Sequence, residues 1–229
     1  MQIIYHGHSF LEIITEGWSI LIDPFITGNT RCDIWLDDMQ SKTITHILLT
    51  HGHSDHVGDT IALCQQHGDC KVVAMVELCH RLESKWVAHT ESMNIGGTYR
   101  QPDRSVKFVR AFHSSSNPDG WYAGLAAGFI IKIGDKTIYN AGDTSLFAEM
   151  ASFAKYNLDV AFLPIGDRYT MGLEDAVEAA HRIGAKSIVP IHYNTRDAIK
   201  ADDIEFARQI MLHNYGVPKV LRAGQYIVL

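Results

Sequence analysis

The segment His51-Gly52-His53-Ser54-Asp55-His56 places three imidazoles and a carboxylate within six residues. Crowding such groups is costly unless they bind something, because buried polar and charged side chains must be paired. Residues two apart in an extended segment point to the same side, so His51 and His53 can share one metal ion. Asp55 and His56 follow where a helix pattern begins and can turn towards a second ion. The segment therefore indicates a metal-binding loop rather than a solvated polar loop.

The residues around this segment predict alternating strands and helices. Residues 43–50 read as a buried strand and residues 56–67 as a helix. Short apolar stretches at 2–5, 10–15 and 18–22, bounded by Gly or charged residues, predict an antiparallel meander at the start of the chain. The rest of this half alternates between strand and helix patterns, at 71–75, 76–87 and 105–112.

A loop rich in turn-forming residues at 114–124 divides the sequence near its middle. Beyond it we expect strands at 125–133, 136–140, 159–164, 186–191 and 225–229. They alternate with helix patterns at 145–155, 172–183 and 201–214. We therefore predict one α/β domain over 1–229, built as a four-layer αββα sandwich from two halves, about 1–115 and 120–229.

Three further candidate ligands each follow an apolar run. His113 comes after the strand pattern at 105–112, Asp143 after Ile138–Gly142, and His192 after Ser187–Ile191. Ligands bind at the carboxyl ends of strands in open α/β sheets, and strand ends hold side chains rigidly. Taken singly, each residue could be an ordinary polar residue closing a strand. Together with the first cluster they favour a metal site.

The order of these residues resembles the five-motif signature of the metallo-β-lactamase superfamily over nearly the whole chain. That order is Asp23, His51-x-His53-x-Asp55-His56, His113, Asp143 and His192. Further stretches look like a branch of uncharacterised metal-dependent hydrolases that is similar to the ascorbate-6-phosphate lactonases. They include Tyr5-His6-Gly7-His8-Ser9-Phe10, Met93-Asn94-Ile95-Gly96-Gly97, Tyr139-Asn140-Ala141-Gly142-Asp143-Thr144 and Pro190-Ile191-His192-Tyr193-Asn194.

The resemblance implies the αββα fold of that superfamily and two metal ions per chain. The implied ligands are His51, His53 and His113 for the first ion, and Asp55, His56 and His192 for the second. Asp143 would bridge the two ions. Asp23 would lie beside the site and orient the histidine-rich loop without being a ligand. Zinc suits His and carboxylate ligands, and manganese, nickel or iron also fit, so the sequence leaves the metal open.

The implied reaction is hydrolysis of an ester, lactone or phosphoester in a small molecule. Two ions sharing a water lower its pKa to roughly 7, so that hydroxide attacks the substrate at neutral pH. Asp55 is the candidate catalytic group that takes the proton and returns it to the leaving group. Candidate substrate contacts, for which ordinary loop and packing roles remain open, are Ser114–Ser116, Thr170, Met171, Tyr193 and Asn194.

His8 is a second candidate catalytic residue. It falls on the first strand pattern, where His6 and His8 alternate around Gly7 and are expected to face one side together. An imidazole there could hydrogen-bond the substrate or leaving group, or brace a metal ligand. The alternative is a histidine that the backbone satisfies at a strand end.

Composition disfavours several other classes of protein. The 229 residues are 46% apolar with a formal charge of -6 and no block of Lys or Arg, which argues against a nucleic-acid partner. No apolar run reaches the roughly 18 residues of a membrane span. The sequence begins with no signal-peptide pattern, and the four cysteines form no Cys-x-x-Cys pair, so we expect reduced thiols and a cytoplasmic protein. Homo-oligomerisation stays open.

Three alternatives share the implied fold. A phosphodiesterase or nuclease is the main rival, although a basic patch is missing. Flavodiiron-like redox enzymes normally have Glu where this chain has His53, and they carry a fused flavin domain. Non-catalytic members typically lose ligands, whereas this chain keeps the full set.

Overall fold

The computed structural model describes residues 1–117 and 119–229. These residues divide into two compact units, each with one seven-stranded sheet. The first unit comprises Met1–Asn94, Ser114–Ala126 and Arg222–Leu229, and the second comprises Ile95–His113 and Ala127–Leu221.

The strands are numbered in chain order. They are β1 Gln2–Tyr5, β2 Leu11–Thr15, β3 Trp18–Ile22, β4 His46–Leu48, β5 Lys71–Met75, β6 Thr90–Met93, β7 Thr98–Gln101, β8 Arg104–Arg110, β9 Ala127–Ile133, β10 Lys136–Asn140, β11 Val160–Pro164, β12 Ser187–Ile191, β13 Val217–Pro218 and β14 Tyr226–Val228. The α-helices are α1 Ser54–Val57, α2 Thr60–Gln66, α3 Val76–Glu83, α4 Leu173–Ile183 and α5 Asp203–His213. Short 3₁₀ helices span Leu36–Ser41, Ala148–Tyr156 and Asp197–Ile199.

Each sheet joins an antiparallel half to a parallel half. The first sheet has the order β14-β1-β2-β3-β4-β5-β6, antiparallel as far as β3 and parallel from β3 to β6. The second has the order β13-β12-β11-β10-β9-β8-β7, antiparallel from β7 to β10 and parallel from β10 to β13. Within each sheet, the carboxyl ends of the parallel strands therefore lie at one edge of that sheet.

Apolar side chains hold each unit together. In the first sheet Leu21, Ile47 and Val73 are fully buried on neighbouring strands. In the second unit, α4 buries Ala176, Ala179, Ala180 and Ile183 on one face. That spacing is the period of an amphipathic helix, so this face packs into the core while the rest of the helix meets solvent.

The meander at the start of the chain and the strands at 71–75 and 136–140 are confirmed. Three expectations need correction. The strand expected over 43–50 is only His46–Leu48, and the segment at 145–155 is a 3₁₀ helix rather than an α-helix. The helix expected at 56–67 is two helices separated at Gly58, whose φ is 47°. A β-carbon at Gly58 would lie 2.2 Å from the Pro24 carbonyl oxygen, so only glycine allows this break.

Two further observations concern membrane-spanning helices and the cysteines. Among the described residues, no helix combines the length and apolar character that crossing a membrane requires. The cysteines Cys32, Cys64, Cys70 and Cys79 are all free thiols.

Candidate metal centre

The histidine-rich segment begins three residues after β4, at the parallel edge of the first sheet. Asp23 directly follows β3, the parallel neighbour of β4, so the two strands deliver Asp23 and His51 to the same edge. His53 then precedes α1, which carries Asp55 and His56 in its only turn. Asp23, His51 and His56 are fully buried.

Asp23 fixes the orientation of this segment. Its carboxylate accepts hydrogen bonds from Thr50 N at 2.9 Å, from Thr50 Oγ1 at 2.6 Å and from His56 Nδ1 at 2.7 Å. Because a carboxylate only accepts, the proton of His56 must lie on Nδ1, which leaves Nε2 with a lone pair. Thr50 gives its only hydroxyl proton to Asp23, so it accepts from His51 Nδ1, 3.0 Å away. The network therefore leaves Nε2 of both histidines able to bind a metal.

His51 and His53 lie close enough to each other to bind one metal ion together. His51 Nε2 and His53 Nδ1 lie 3.0 Å apart, as expected for residues two apart in an extended segment. The other ring nitrogen of His53, Nε2, lies 3.3 Å from the hydroxyl oxygen of Ser114. His53 thus contacts the expected ligand partner with one nitrogen and the loop at 114–126 with the other.

This loop packs closely against Gly52, between the two histidines. Gly52 N donates to Ser115 Oγ at 3.1 Å, and Ser115 is buried. A β-carbon at Gly52 would lie 2.3 Å from Cβ of Ala123. Position 52 therefore requires glycine, because any side chain would push the loop away.

His8 lies against Asp55 rather than on a strand. It sits in the turn between β1 and β2 with a left-handed φ of 57°, which corrects the expected position on the first strand. Its Nε2 lies 3.3 Å from Asp55 Oδ2, and the imidazole is fully buried. His8, Asp55 and His56 each offer a ligand-type atom within 4.8 Å of the others.

His6 belongs to a separate cluster, so the expectation that His6 and His8 face one side together is wrong. His6 Nδ1 lies 2.8 Å from Asp33 Oδ1, and its Nε2 lies 3.0 Å from Glu12 Oε2. Burial lowers the pKa of His6, but the hydrogen bonds to the two carboxylates outweigh it and raise the pKa. Burial raises the pKa of Glu12, but His6 and Lys42 together lower it. The cluster pairs the buried side chains of His6 and Glu12 with each other and with the partly exposed Asp33 and Lys42.

The second unit gathers His113, Asp143 and His192 at one edge of its sheet. These residues follow β8, β10 and β12, which run in the same direction. Asp143 Oδ2 lies 3.1 Å from His192 Nε2 and 3.5 Å from His113 Nε2. One carboxylate oxygen thus faces both imidazoles, as expected for strand ends that meet.

Tight backbone turns present two of these residues. Gly142 N donates to the side-chain oxygen of Asn140 at 2.8 Å, which closes the turn before Asp143. His192 has a left-handed φ of 55°. A β-carbon at Gly166 would lie 2.4 Å from the His192 carbonyl oxygen, so Gly166 allows the backbone at His192 to approach closely.

The candidate substrate contacts of the second unit have structural partners. Met171 and Tyr193 lie in the hydrophobic core of this unit, and the Tyr193 hydroxyl donates to Asp203 Oδ2 at 3.2 Å. Asn194 bonds through both side-chain atoms to the backbone of Ala201. Thr170 is half-buried, and its hydroxyl lies 3.4 Å from the Met171 carbonyl oxygen. These contacts show the packing and turn roles that the sequence left open beside substrate binding.

Sequence reasoning missed one residue of the first unit. Thr50 links Asp23 to His51, yet it was read only as the last residue of a strand. A polar residue closing an apolar run directly before a ligand was the available signal. The hydroxyl of Ser115, one of the candidate substrate contacts, accepts a hydrogen bond from the backbone N–H of Gly52.

Comparison with known proteins agrees with this arrangement. The family model described as the beta-lactamase superfamily domain matches residues 19–193. A protein of Bacillus thuringiensis (strain Al Hakam), described as a UPF0173 metal-dependent hydrolase, is 46% identical over 235 positions and covers the whole of both chains. The chain belongs to the β-lactamase superfamily.

Two solved structures share the fold of this chain. A metallo hydrolase from the archaeon Ignicoccus hospitalis has a TM-score of 0.90 and 33% identity, and the match covers 99% of this chain and 97% of that one. An isothiocyanate hydrolase from Delia radicum gut bacteria has a TM-score of 0.78 and 18% identity, covering 100% and 99%. The chain thus has the mixed α/β metallo-β-lactamase fold, with its two large sheets, and is grouped with metal-dependent hydrolases.

The residues in each unit suit the metal ions that bind in this superfamily. Neutral imidazole nitrogens and carboxylate oxygens are ligands of zinc and of other divalent transition metals. In the first unit, Asp23 and Thr50 accept hydrogen bonds from Nδ1 of His56 and His51, which leaves Nε2 of each ring able to coordinate. Such supporting hydrogen bonds typically orient metal-binding histidines.

Proposed function

We propose that this protein is a hydrolase that uses two metal ions to cleave an ester, lactone or phosphoester bond in a small molecule. The proposed ligands are His51, His53 and His113 for one ion, Asp55, His56 and His192 for the other, and Asp143 for both. Membership of the β-lactamase superfamily supports metal-dependent hydrolysis. The number of metal ions and the type of substrate are the finer parts of the proposal.

The observation that carries the proposal of two ions is the position of Asp143. Its Oδ2 lies 3.1 Å from Nε2 of His192 and 3.5 Å from Nε2 of His113. The proposal assigns these two histidines to different ions. A single buried carboxylate facing both is what a bridging ligand requires. The carboxylate also supplies negative charge, which lowers the cost of holding two cations close together.

When bound, the metal ions supply Lewis acidity, which activates water and stabilises negative charge on the substrate. The chain itself positions the proton carriers. The buried imidazole of His8 has its Nε2 3.3 Å from Asp55 Oδ2, and this close approach restricts the direction of the Asp55 side chain. Asp55 can then take the proton of the attacking water and return it to the leaving group, which contributes typically 10²–10⁴-fold.

His8 acts in this proposal by holding Asp55 rather than by touching the substrate. Its imidazole is fully buried. Asp55 is partly exposed, with 18% of its side chain accessible, so it can face a substrate. The structure therefore favours the bracing role among those that the sequence left open.

We also propose that the substrate is a small molecule and that the protein works in a reducing compartment. A formal charge of -6 favours a small-molecule substrate over a nucleic acid. Free thiols at all four cysteines support a reducing compartment such as the cytoplasm.

A metal-reconstituted activity screen tests this function. Metal-depleted protein is loaded with zinc, manganese, nickel or iron and assayed on lactones, simple esters, phosphomonoesters, thioesters, β-lactams and a generic phosphodiester. We expect about two equivalents of metal per chain, turnover of a lactone, ester or phosphomonoester, and complete loss with a chelator. Turnover by metal-free protein would contradict the mechanism, and turnover of the phosphodiester alone would favour the nuclease alternative.

A further inference from the structure

We propose that Ser114 is a positioning residue that makes Nδ1 of His53 the metal-binding nitrogen. The inference rests on the proposed function, because it assigns His53 to a metal ion. It concerns residues of the first unit only. In this role the Ser114 hydroxyl contacts His53 rather than a substrate.

The two nitrogens of His53 have different surroundings. Nδ1 lies 3.0 Å from His51 Nε2, the atom that the Asp23 and Thr50 network leaves with a lone pair. If Nδ1 coordinates the same ion as His51 Nε2, the single proton of the neutral ring must lie on Nε2. That N–H then needs an acceptor, and Ser114 Oγ is 3.3 Å away.

A hydroxyl suits this position because it can reverse its hydrogen bond. Before an ion binds, His53 Nδ1–H can donate to His51 Nε2, and the Ser114 hydroxyl then donates to His53 Nε2. With Nδ1 as a metal ligand, the proton of His53 would lie on Nε2, and the Ser114 hydroxyl would accept its hydrogen bond. The ring stays neutral throughout, so the change needs no added charge. Alanine can do neither.

The loop that carries Ser114 is fixed on the metal-binding segment. Ser115 Oγ accepts from Gly52 N, and Ala123 N donates to the Ser115 carbonyl oxygen at 3.1 Å. These two bonds hold Ser115 against Gly52, which keeps the adjacent Ser114 beside His53. The next serine, Ser116, is exposed and pairs through its backbone with Tyr122. It offers a matched control one step along the same loop.

The experiment measures binding of Co²⁺ to metal-depleted protein by competition with a coloured chelator. The variants are Ser114→Ala, Ser114→Thr and the control Ser116→Ala. We expect Ser114→Ala to weaken the affinity of the first ion by roughly 10–100-fold, as supporting residues of metal ligands typically do. Ser114→Thr keeps the hydroxyl and should stay close to wild type, as should Ser116→Ala. Melting temperatures of the metal-depleted variants should agree, which separates a local effect from unfolding.

Each other outcome has a definite meaning. Equal Co²⁺ affinity in Ser114→Ala and Ser116→Ala would overturn the role of Ser114. An increase in KM for an accepted substrate, with Co²⁺ affinity unchanged, would return Ser114 to substrate binding. A wild-type protein that binds no Co²⁺ would contradict the two-metal proposal itself, and the inference would fall with it.

Discussion

In the first unit the proposed ligands lie within six consecutive residues, whereas in the second they follow three separate strands between residues 113 and 192. The second arrangement takes its rigidity from the sheet. His192 directly follows β12, and a two-residue turn separates Asp143 from β10. The first arrangement lies in a loop beyond β4 and depends on hydrogen bonds from other segments, above all from Asp23.

This difference predicts how each unit responds to substitution. In the second unit the backbone should hold its place when a ligand is removed, so the loss should be confined to metal binding and turnover. In the first unit, residues that never touch a metal should still control affinity, because they set the tautomer and direction of the imidazoles.

Substitution of the bridging carboxylate should have the largest effect. We expect Asp143→Ala to lower turnover roughly 1,000-fold or more and metal content well below two equivalents, because both ions lose a ligand. Elemental analysis and steady-state kinetics measure the two effects. Full metal occupancy in this variant would show that Asp143 is not a bridge.

Asp159 provides the control for that variant. It lies just before β11, at the other end of the parallel strands, and accepts from Thr137 N at 2.8 Å. Asp159→Ala should therefore reduce stability by about 1–3 kcal/mol, through a buried N–H left without its acceptor, and keep the full metal content.

The second largest effect should come from Asp23→Asn in the first unit. An amide can still accept from Thr50 N, but its NH₂ group placed at His56 Nδ1 would force the His56 proton onto Nε2, the proposed metal-binding atom. We expect metal affinity to fall roughly 10–100-fold with only a modest loss of stability. Unchanged metal affinity would contradict the tautomer assignment.

His8→Asn should reduce turnover by roughly 10–100-fold while metal content stays near wild type. Asparagine tolerates the left-handed backbone of this position, so the fold should persist. The imidazole that lies 3.3 Å from Asp55 is lost, so the direction of the Asp55 carboxylate is less restricted. Lower melting temperature with near-normal turnover would instead assign His8 a structural role.

His6→Asn is the matched control, two residues away and equally buried. Because Asp33 and Glu12 raise the pKa of His6 above its ordinary value of 6.5, the stabilisation by His6 is complete below that value. It is lost as the pH rises through the raised pKa. Denaturant midpoints should therefore show a larger deficit for His6→Asn at about pH 5 than at about pH 9, with turnover preserved.

The proposed ligands of the two units were inferred from different kinds of sequence information. The contiguous cluster from His51 to His56 could be read from spacing and chemistry alone. His113, Asp143 and His192 each look like ordinary strand ends, and only their order, through the family resemblance, singled them out. Five strands of the second sheet, β8 to β12, were predictable because they are apolar runs bounded by turns, whereas the short edge strands β7 and β13 were not expected.

What could not be predicted depends on contacts between distant segments. Ser114 reaches His53 only because the loop folds back over Gly52, which no local pattern reveals. The sequence pattern predicts a strand at His8, whereas the chain turns there. The turn depends on the positive φ of Gly7 and His8, which the alternation of residues does not reveal. Apolar spacing also could not distinguish the 3₁₀ helix Ala148–Tyr156 from an α-helix, since both bury one face.

The smallest expected effects come from the glycines that allow close contact beside the ligands. Gly52→Ala would place its Cβ 2.3 Å from Cβ of Ala123, and Gly166→Ala would place its Cβ 2.4 Å from the His192 carbonyl oxygen. Each overpacked variant should lose about 1–3 kcal/mol of stability. In the first unit the obstacle is a side chain, so Ala123→Gly should restore much of the loss in the double variant. In the second unit the obstacle is backbone, and truncating the neighbouring Ile199 should restore nothing.

Chemical denaturation of these variants decides whether the first unit holds its ligands by loop packing and the second by backbone. Gly68→Ala is the control, because a β-carbon there meets no atom within 4 Å, and its stability should stay within about 0.5 kcal/mol of wild type. Metal affinity adds a second readout. Gly52→Ala displaces the loop that carries Ser114, so it should weaken Co²⁺ binding, and Ala123→Gly should recover affinity together with stability. Recovery of stability without recovery of affinity would show that the loop packs on the segment without positioning His53.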